Sequence, residues 1–148
     1  MTQYYSNELA GDTTGLNTAP VASLRPSAGV YGAKYKVFRA TITFASQASG
    51  STFVLGKIPT GHTFSCAQIG VDTSTGSATI ALGNAGSSTY YAAASAYTTT
   101  NTLTLAANIA AMKAGAYTAE ETIIATIGGA ALPSSGTAVI ELYFDSAN

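Results

Sequence analysis

The chain has no tryptophan, one cysteine and one histidine, and only 9% of its 148 residues are charged, against roughly 25% in soluble domains. Each shortage excludes something. Cys66 has no partner for an internal disulfide, and beside Phe64 in an expected strand it reads as a small buried apolar residue. His62 has no cysteine or carboxylate cluster near it in sequence, so neither a metal site nor a catalytic pair can be built on it. The serines and threonines are so numerous that an imagined Ser-His-Asp set carries no information. Gly83-Asn-Ala-Gly86 and Ile127-Gly-Gly-Ala130 lack the following helix and lysine of a phosphate-binding loop and read as turns. Asp12, Asp72, Glu120 and Glu121 lack the spacing of a calcium loop. No catalytic residue, cofactor or metal is therefore expected. A net charge of −1 supplies no long-range field toward nucleic acid or an anionic membrane. No apolar run reaches the roughly 18 residues that span a bilayer. The opening Met-Thr-Gln-Tyr-Tyr-Ser-Asn-Glu has neither the basic start nor the apolar segment of a secretory signal, so synthesis and folding in a cytoplasm are expected. There is no Asn-X-Ser/Thr acceptor for N-glycosylation.

What the chain does have is 47% hydrophobic residues, enough for one domain with its own core. A surface of Ser, Thr, Ala and Gly in place of Lys and Glu points to a protein that is covered by partners, or to a hydroxyl-rich exterior like that of many extracellular and virion β proteins. Arg25, Lys34, Lys36, Arg39 and Lys57 lie early, whereas Glu120, Glu121, Glu141 and Asp145 lie late. These are either solvated edge residues or complementary patches on two subunits.

Residues 1–34 differ from the rest. Gly11, Gly15, Pro20, Pro26, Gly29 and Gly32 interrupt the segment too often for a regular element, and its apolar residues follow neither strand nor helix period. It reads as an extended N-terminal arm. Its large side chains gain nothing without a surface to cover, whether that surface is its own domain, a neighbour or a larger scaffold. Tyr4, Tyr5, Leu9, Leu16 and Leu24 are the candidate partner-binding residues. From Tyr35, period-two alternation takes over and a β domain is expected over 35–148. Phe38, Ala40, Ile42 and Phe44 share one face of a long strand. Residues 51–83 read as three strands joined at Pro59-Thr-Gly61 and Gly76, with Ala67, Ile69, Val71 and then Ala78, Ile80, Leu82 forming the buried face of a hairpin. A strand follows near Tyr90 and Tyr91, which must face opposite ways. Between 93 and 118, Leu105, Ile109 and Met112 fit a helical turn or two ended by Gly115, although a long alanine-packed loop fits as well. Ile123, Ala125, Ile127 and Ala138, Ile140, Leu142, Phe144 supply the last two strands. The sum is an all-β fold, a two-sheet β-sandwich or jelly-roll of seven or eight strands with at most one short helix.

Phe53-Val-Leu-Gly-Lys-Ile-Pro-Thr-Gly61, a strand of the type Ile-Gly-Val-Asp-Thr, and Ala-Thr-Ile-Ala-Leu-Gly-Asn84 resemble the head decoration (cement) proteins of tailed bacteriophages. The segment Glu121-Thr-Ile-Ile-Ala-Thr-Ile-Gly-Gly-Ala-Ala-Leu-Pro-Ser-Ser-Gly-Thr-Ala-Val-Ile-Glu-Leu-Tyr-Phe144 is similar to the closing hairpin of that family. The resemblance covers residues 35–144 and rests on turns and strands, not on functional side chains. It implies a non-enzymatic, oligomeric subunit, a trimer by analogy with the three-fold sites such proteins occupy. That subunit would bind the major capsid protein on the outside of an icosahedral virion assembled in the host cytoplasm. The alternative from another class is a carbohydrate-binding or adhesive β-module of a fibre or appendage, with exposed tyrosines in place of the absent tryptophan.

Overall fold

The computed structural model describes residues 3–5 and 35–146. Alternation of apolar and polar residues from Tyr35 onward produces two sheets that press their apolar faces together. The elements are β1 (Gln3–Tyr5), β2 (Tyr35–Thr43), β3 (Thr52–Ile58), β4 (His62–Val71), β5 (Thr79–Gly83), β6 (Ala92–Ser95), β7 (Thr104–Ala106), α1 (Ile109–Met112), β8 (Glu121–Gly128) and β9 (Thr137–Ser146). One sheet has the order β1-β3-β8-β5-β6 and the other β2-β9-β4-β7. Apart from β1, which joins β3 in parallel, the eight remaining strands pair antiparallel, four to a sheet. The β-sandwich read from the sequence is the observed fold. Within the segment read as an arm, Gln3–Tyr5 is an edge strand of the chain's own domain; Leu9, Leu16 and Leu24 lie outside the described residues.

The core forms where the two inner faces meet. The four-stranded sheet contributes Phe38, Ala40, Ile42 and Phe44 from β2 and the turn after it, Ala67, Ile69 and Val71 from β4, and Ala138, Ile140, Leu142 and Phe144 from β9. Ile80 and Leu82 of β5 meet them from the other sheet, with Ile123, Ala125 and Ile127 of β8. These are the faces that the period-two reading assigned.

Two strands change parity part-way, and a bulge accounts for each. In β4 the register against β9 shifts between Phe64 and Cys66, so Phe64 and Ala67 both face inward although they are three positions apart, an odd step that would otherwise place them on opposite faces. This corrects the expectation for Cys66: it is half-buried, not a core residue. In β3 the shift between Val54 and Gly56 lets Phe53, Leu55 and Ile58 all reach the core.

The hairpin expected over 62–83 does not form. β4 lies in one sheet and β5 in the other, and the segment read as a closing hairpin likewise places β8 and β9 in different sheets. The corner residues were read correctly, since Gly61 and Gly76 both adopt positive φ, 78° and 60°. The corners carry the chain across the open end of the sandwich instead of back alongside the same strand. A strand with one apolar face is satisfied equally well in either sheet, so alternation alone cannot choose between them. Tyr90 and Tyr91 precede β6 and do not belong to it. Tyr91 is fully buried, and Tyr90 packs edge-on against it, ring centroids 5.0 Å apart. The helical turn is present: Asn108 caps it by accepting from Ala110 N at 3.0 Å, and only Ala111 of the turn is buried.

Candidate interaction surfaces

Chemistry-bearing residues are few and mostly occupied. His62 opens β4 and is buried. Its Nδ1 lies 3.2 Å from the Pro59 carbonyl and 3.1 Å from the Thr60 carbonyl, so Nδ1 carries the proton and donates to the turn that precedes it. Its Nε2 is buried without a hydrogen-bond partner. Among the described residues no group of three or more His, Cys, Asp or Glu could hold a metal ion. The Tyr91 and Tyr117 hydroxyls are also buried without a partner of normal geometry. Burial raises both, Tyr117 to about 12. They belong to an aromatic cluster in which Phe64 packs 5.0 Å from Tyr91 and 5.8 Å from Phe144. That arrangement secures one end of the core.

Two ion pairs are seen among the described residues, both within the chain. Arg39 of β2 stands opposite Glu141 of β9 and donates to its carboxylate through Nε at 2.7 Å and through Nη2. Tyr143 adds its hydroxyl at 2.8 Å. The Tyr143 hydroxyl and then Arg39 hold the Glu141 carboxyl below its ordinary range, against the opposing effect of burial. Lys57 donates to Glu120 at 2.7 Å, and Asn84 donates to Glu121. Asp72 accepts from Thr137 N at 2.6 Å, and that bond is the main reason its carboxyl is lowered. Of the basic and acidic residues, read as either solvated edge residues or complementary patches on two subunits, Arg39 with Glu141 and Lys57 with Glu120 pair across strands of one domain.

Among the described side chains, the tyrosines offer no exposed stacking platform of the kind a glycan-binding module needs. Tyr90, Tyr117 and Tyr143 are half-buried, and Tyr91 and Tyr97 are buried. Large apolar side chains are exposed instead at Leu105 (67%), Ile109 (65%), Leu103 (54%), Val37 (42%) and Met112 (40%). Four of these five fall on β7, the residue before it and α1. Leu105 stands opposite Gln68, and Leu103 lies over Gly70, where an added Cβ would sit 3.0 Å from its Cδ2. Beside Leu105, a groove of about 320 Å³ opens between β6 and β7, lined by Ala93, Ser95, Ala96, Tyr97, Thr104 and Ala106 among others. Leu105, Ile109 and Met112, whose spacing fits a helical turn or two, all point outward. The signal for the strand was the alternation in Thr102-Leu-Thr-Leu105, which has period two.

No protein-family model and no curated protein sequence matches the chain. Solved structures do. A chain in the capsid of Ralstonia phage GP4 superposes with a TM-score of 0.68 at 14% identity, covering 99% of both chains. A chain of the cyanophage Pam1 capsid asymmetric unit gives 0.56 at 18% identity over 84% of this chain and 94% of that one. One from the acidic stable capsid structure of Helicobacter pylori bacteriophage KHP30 gives 0.51 at 15% identity over 75% and 86%. The sandwich is therefore a fold that occurs in phage capsids.

Proposed function

We propose that this chain is a non-enzymatic structural protein of a phage virion, a decoration subunit that binds the outside of an icosahedral capsid and reinforces contacts between major capsid subunits. The observation that carries this reading is the match over 99% of both chains to a component of the GP4 capsid. Topology supports it. From β2 to β5, and again from β6 to β9, each successive strand lies in the opposite sheet. That order is read as a jelly roll, an architecture of viral capsid domains. Low charge supports it too, because a neutral hydroxyl-rich exterior suits burial against many neighbours.

Mechanistically, each copy would bury modest apolar area across a seam, at about 25 cal/mol per Å², and an oligomer would engage several sites at once, which slows release. Within the arm, Tyr4, Tyr5, Leu9, Leu16 and Leu24 are assigned to capsid contact. Electron microscopy of particles assembled with and without the chain tests the reading: added density on the outer surface at seams between capsid subunits is expected, and saturated particles with no outer density overturn it. Leu9→Ser, Leu16→Ser and Leu24→Ser together should lower occupancy on the particle while β1 is kept intact. Unchanged saturation would remove the arm from the interface.

A further inference from the structure

We propose that the face formed by β7, α1 and the groove between β6 and β7 binds a second copy of this chain. Three independent observations converge on this edge of the sandwich. It gathers Leu103, Leu105, Ile109 and Met112, four of the five large exposed apolar side chains among the described residues, and clustering of that kind marks an interaction surface where scattered single residues do not. It is almost without charge. From Thr73 to Ala119, 47 residues by count (119 − 73 + 1), the sequence holds one charged residue, Lys113. It also carries an unfinished sheet edge, because β6 and β7 are the last strands of their respective sheets and the hollow of about 320 Å³ lies between them.

The occupant follows from the same features. A charged partner would leave its ionised groups desolvated against a face that offers Lys113 alone, whereas a copy of this face brings no such groups. Exposed Leu105 lines the hollow, whose other walls are largely alanine and threonine, so one face holds both a projection and a space that can receive one. A two-fold interface needs this kind of self-complementarity. Residues Ala93 to Met112, 20 by count, supply about the number that a standard-sized interface uses on each side, roughly 20–30. The inference concerns the free chain and stands whether or not the chain decorates a capsid.

Sedimentation velocity of the full chain, from about 1 to 100 μM, reads the association. The wild type should sediment as a dimer or larger species. Leu105→Asp and Ile109→Asp each alter an exposed side chain, so circular dichroism and the melting curve should stay close to wild type. Each should weaken self-association at least about 100-fold by placing a carboxylate in an apolar contact. Val37→Asp, on β2 at the far edge of the same sheet, should leave association intact. A photo-crosslinking residue in place of Ile109 should capture residues 93–112 of a second copy. The proposal is overturned by a monomeric wild type, by association that survives both substitutions, by equal loss in V37D, or by crosslinks that fall on residues 6–34 or on a capsid subunit instead.

Discussion

Replacing Glu141 by Gln should make the domain less stable at neutral pH and flatten its response to acid, and the ranking of its two partners can be worked out in advance. The carboxylate is mostly buried, its side chain 9% exposed, whereas Arg39 is 68% exposed. Arg39 therefore makes its direct contact from a largely solvated guanidinium, where water screens the attraction, and exposed ion pairs contribute about 0–1 kcal/mol. The Tyr143 hydroxyl donates directly to the carboxylate at 2.8 Å, and a hydrogen bond to a charged group contributes about 1.5–3 kcal/mol. Urea unfolding at pH 7 should show Arg39→Met costing roughly 0.5–1 kcal/mol and Tyr143→Phe roughly 1–2 kcal/mol after discounting for the partly exposed ring. In double-mutant cycles with E141Q, the Tyr143 coupling should be the larger. The acid response follows from the lowered carboxyl: stabilisation is complete above the unfolded value of about 4.3 and is lost as pH falls through the lower folded value. Wild-type stability should therefore drop on going from about pH 5 to about pH 3, and E141Q should lose less over that window. It should not be flat, because Asp72, lowered in the same direction, still titrates. An E141Q profile parallel to wild type, or a larger Arg39 coupling, would refute the reasoning.

Two further tests probe the core and one loop. Leu142→Ala, at a fully buried position between the sheets, should cost about 2–5 kcal/mol, while Tyr91→Phe removes a buried hydroxyl that has no partner and should change stability by less than about 1 kcal/mol; urea midpoints in the reverse order would contradict the assigned core. Gly83→Ala would place a Cβ 2.0 Å from Ser87 O and 2.4 Å from Ser88 C. Because both atoms are backbone, the loop after β5 must move, and a loss of more than about 3 kcal/mol in thermal or urea unfolding is expected.

Which residues are inside was legible from the sequence, and which strands are neighbours was not. Phe38, Ala40, Ile42, Ala138, Ile140 and Leu142 occupy the positions that alternation assigned, because burial of one strand face is a local consequence of period two. Pairing is a long-range choice. Gly61 and Gly76 announced corners correctly, but nothing within 62–83 records whether the chain turns back along its own sheet or crosses to the other. The bulges in β3 and β4 were hidden for a related reason: an extra residue looks in sequence like one more member of an apolar run, as Phe53-Val-Leu55 shows. The exposed face at Leu103, Leu105, Ile109 and Met112 was not legible, because large apolar residues spaced three and four apart are normally a buried helical stripe. Here the helix is a single turn of four residues, too short to present a stripe, and only the small Ala111 is packed. His62, Tyr91 and Tyr117 come together only through the fold.

The position of β9 between β2 and β4 affects how the molecule can be made. β9 pairs with β2 over nine residues, from Tyr35 opposite Asp145 to Thr43 opposite Thr137, and with β4 on its other side. Until residues 137–146 leave the ribosome, two long strands synthesised early have no central partner, and both present unsatisfied edges to any similar chain nearby. Closure is thus a late event that joins segments about a hundred positions apart, and a nascent chain stalled before Thr137 should be far more prone to clump than a completed one.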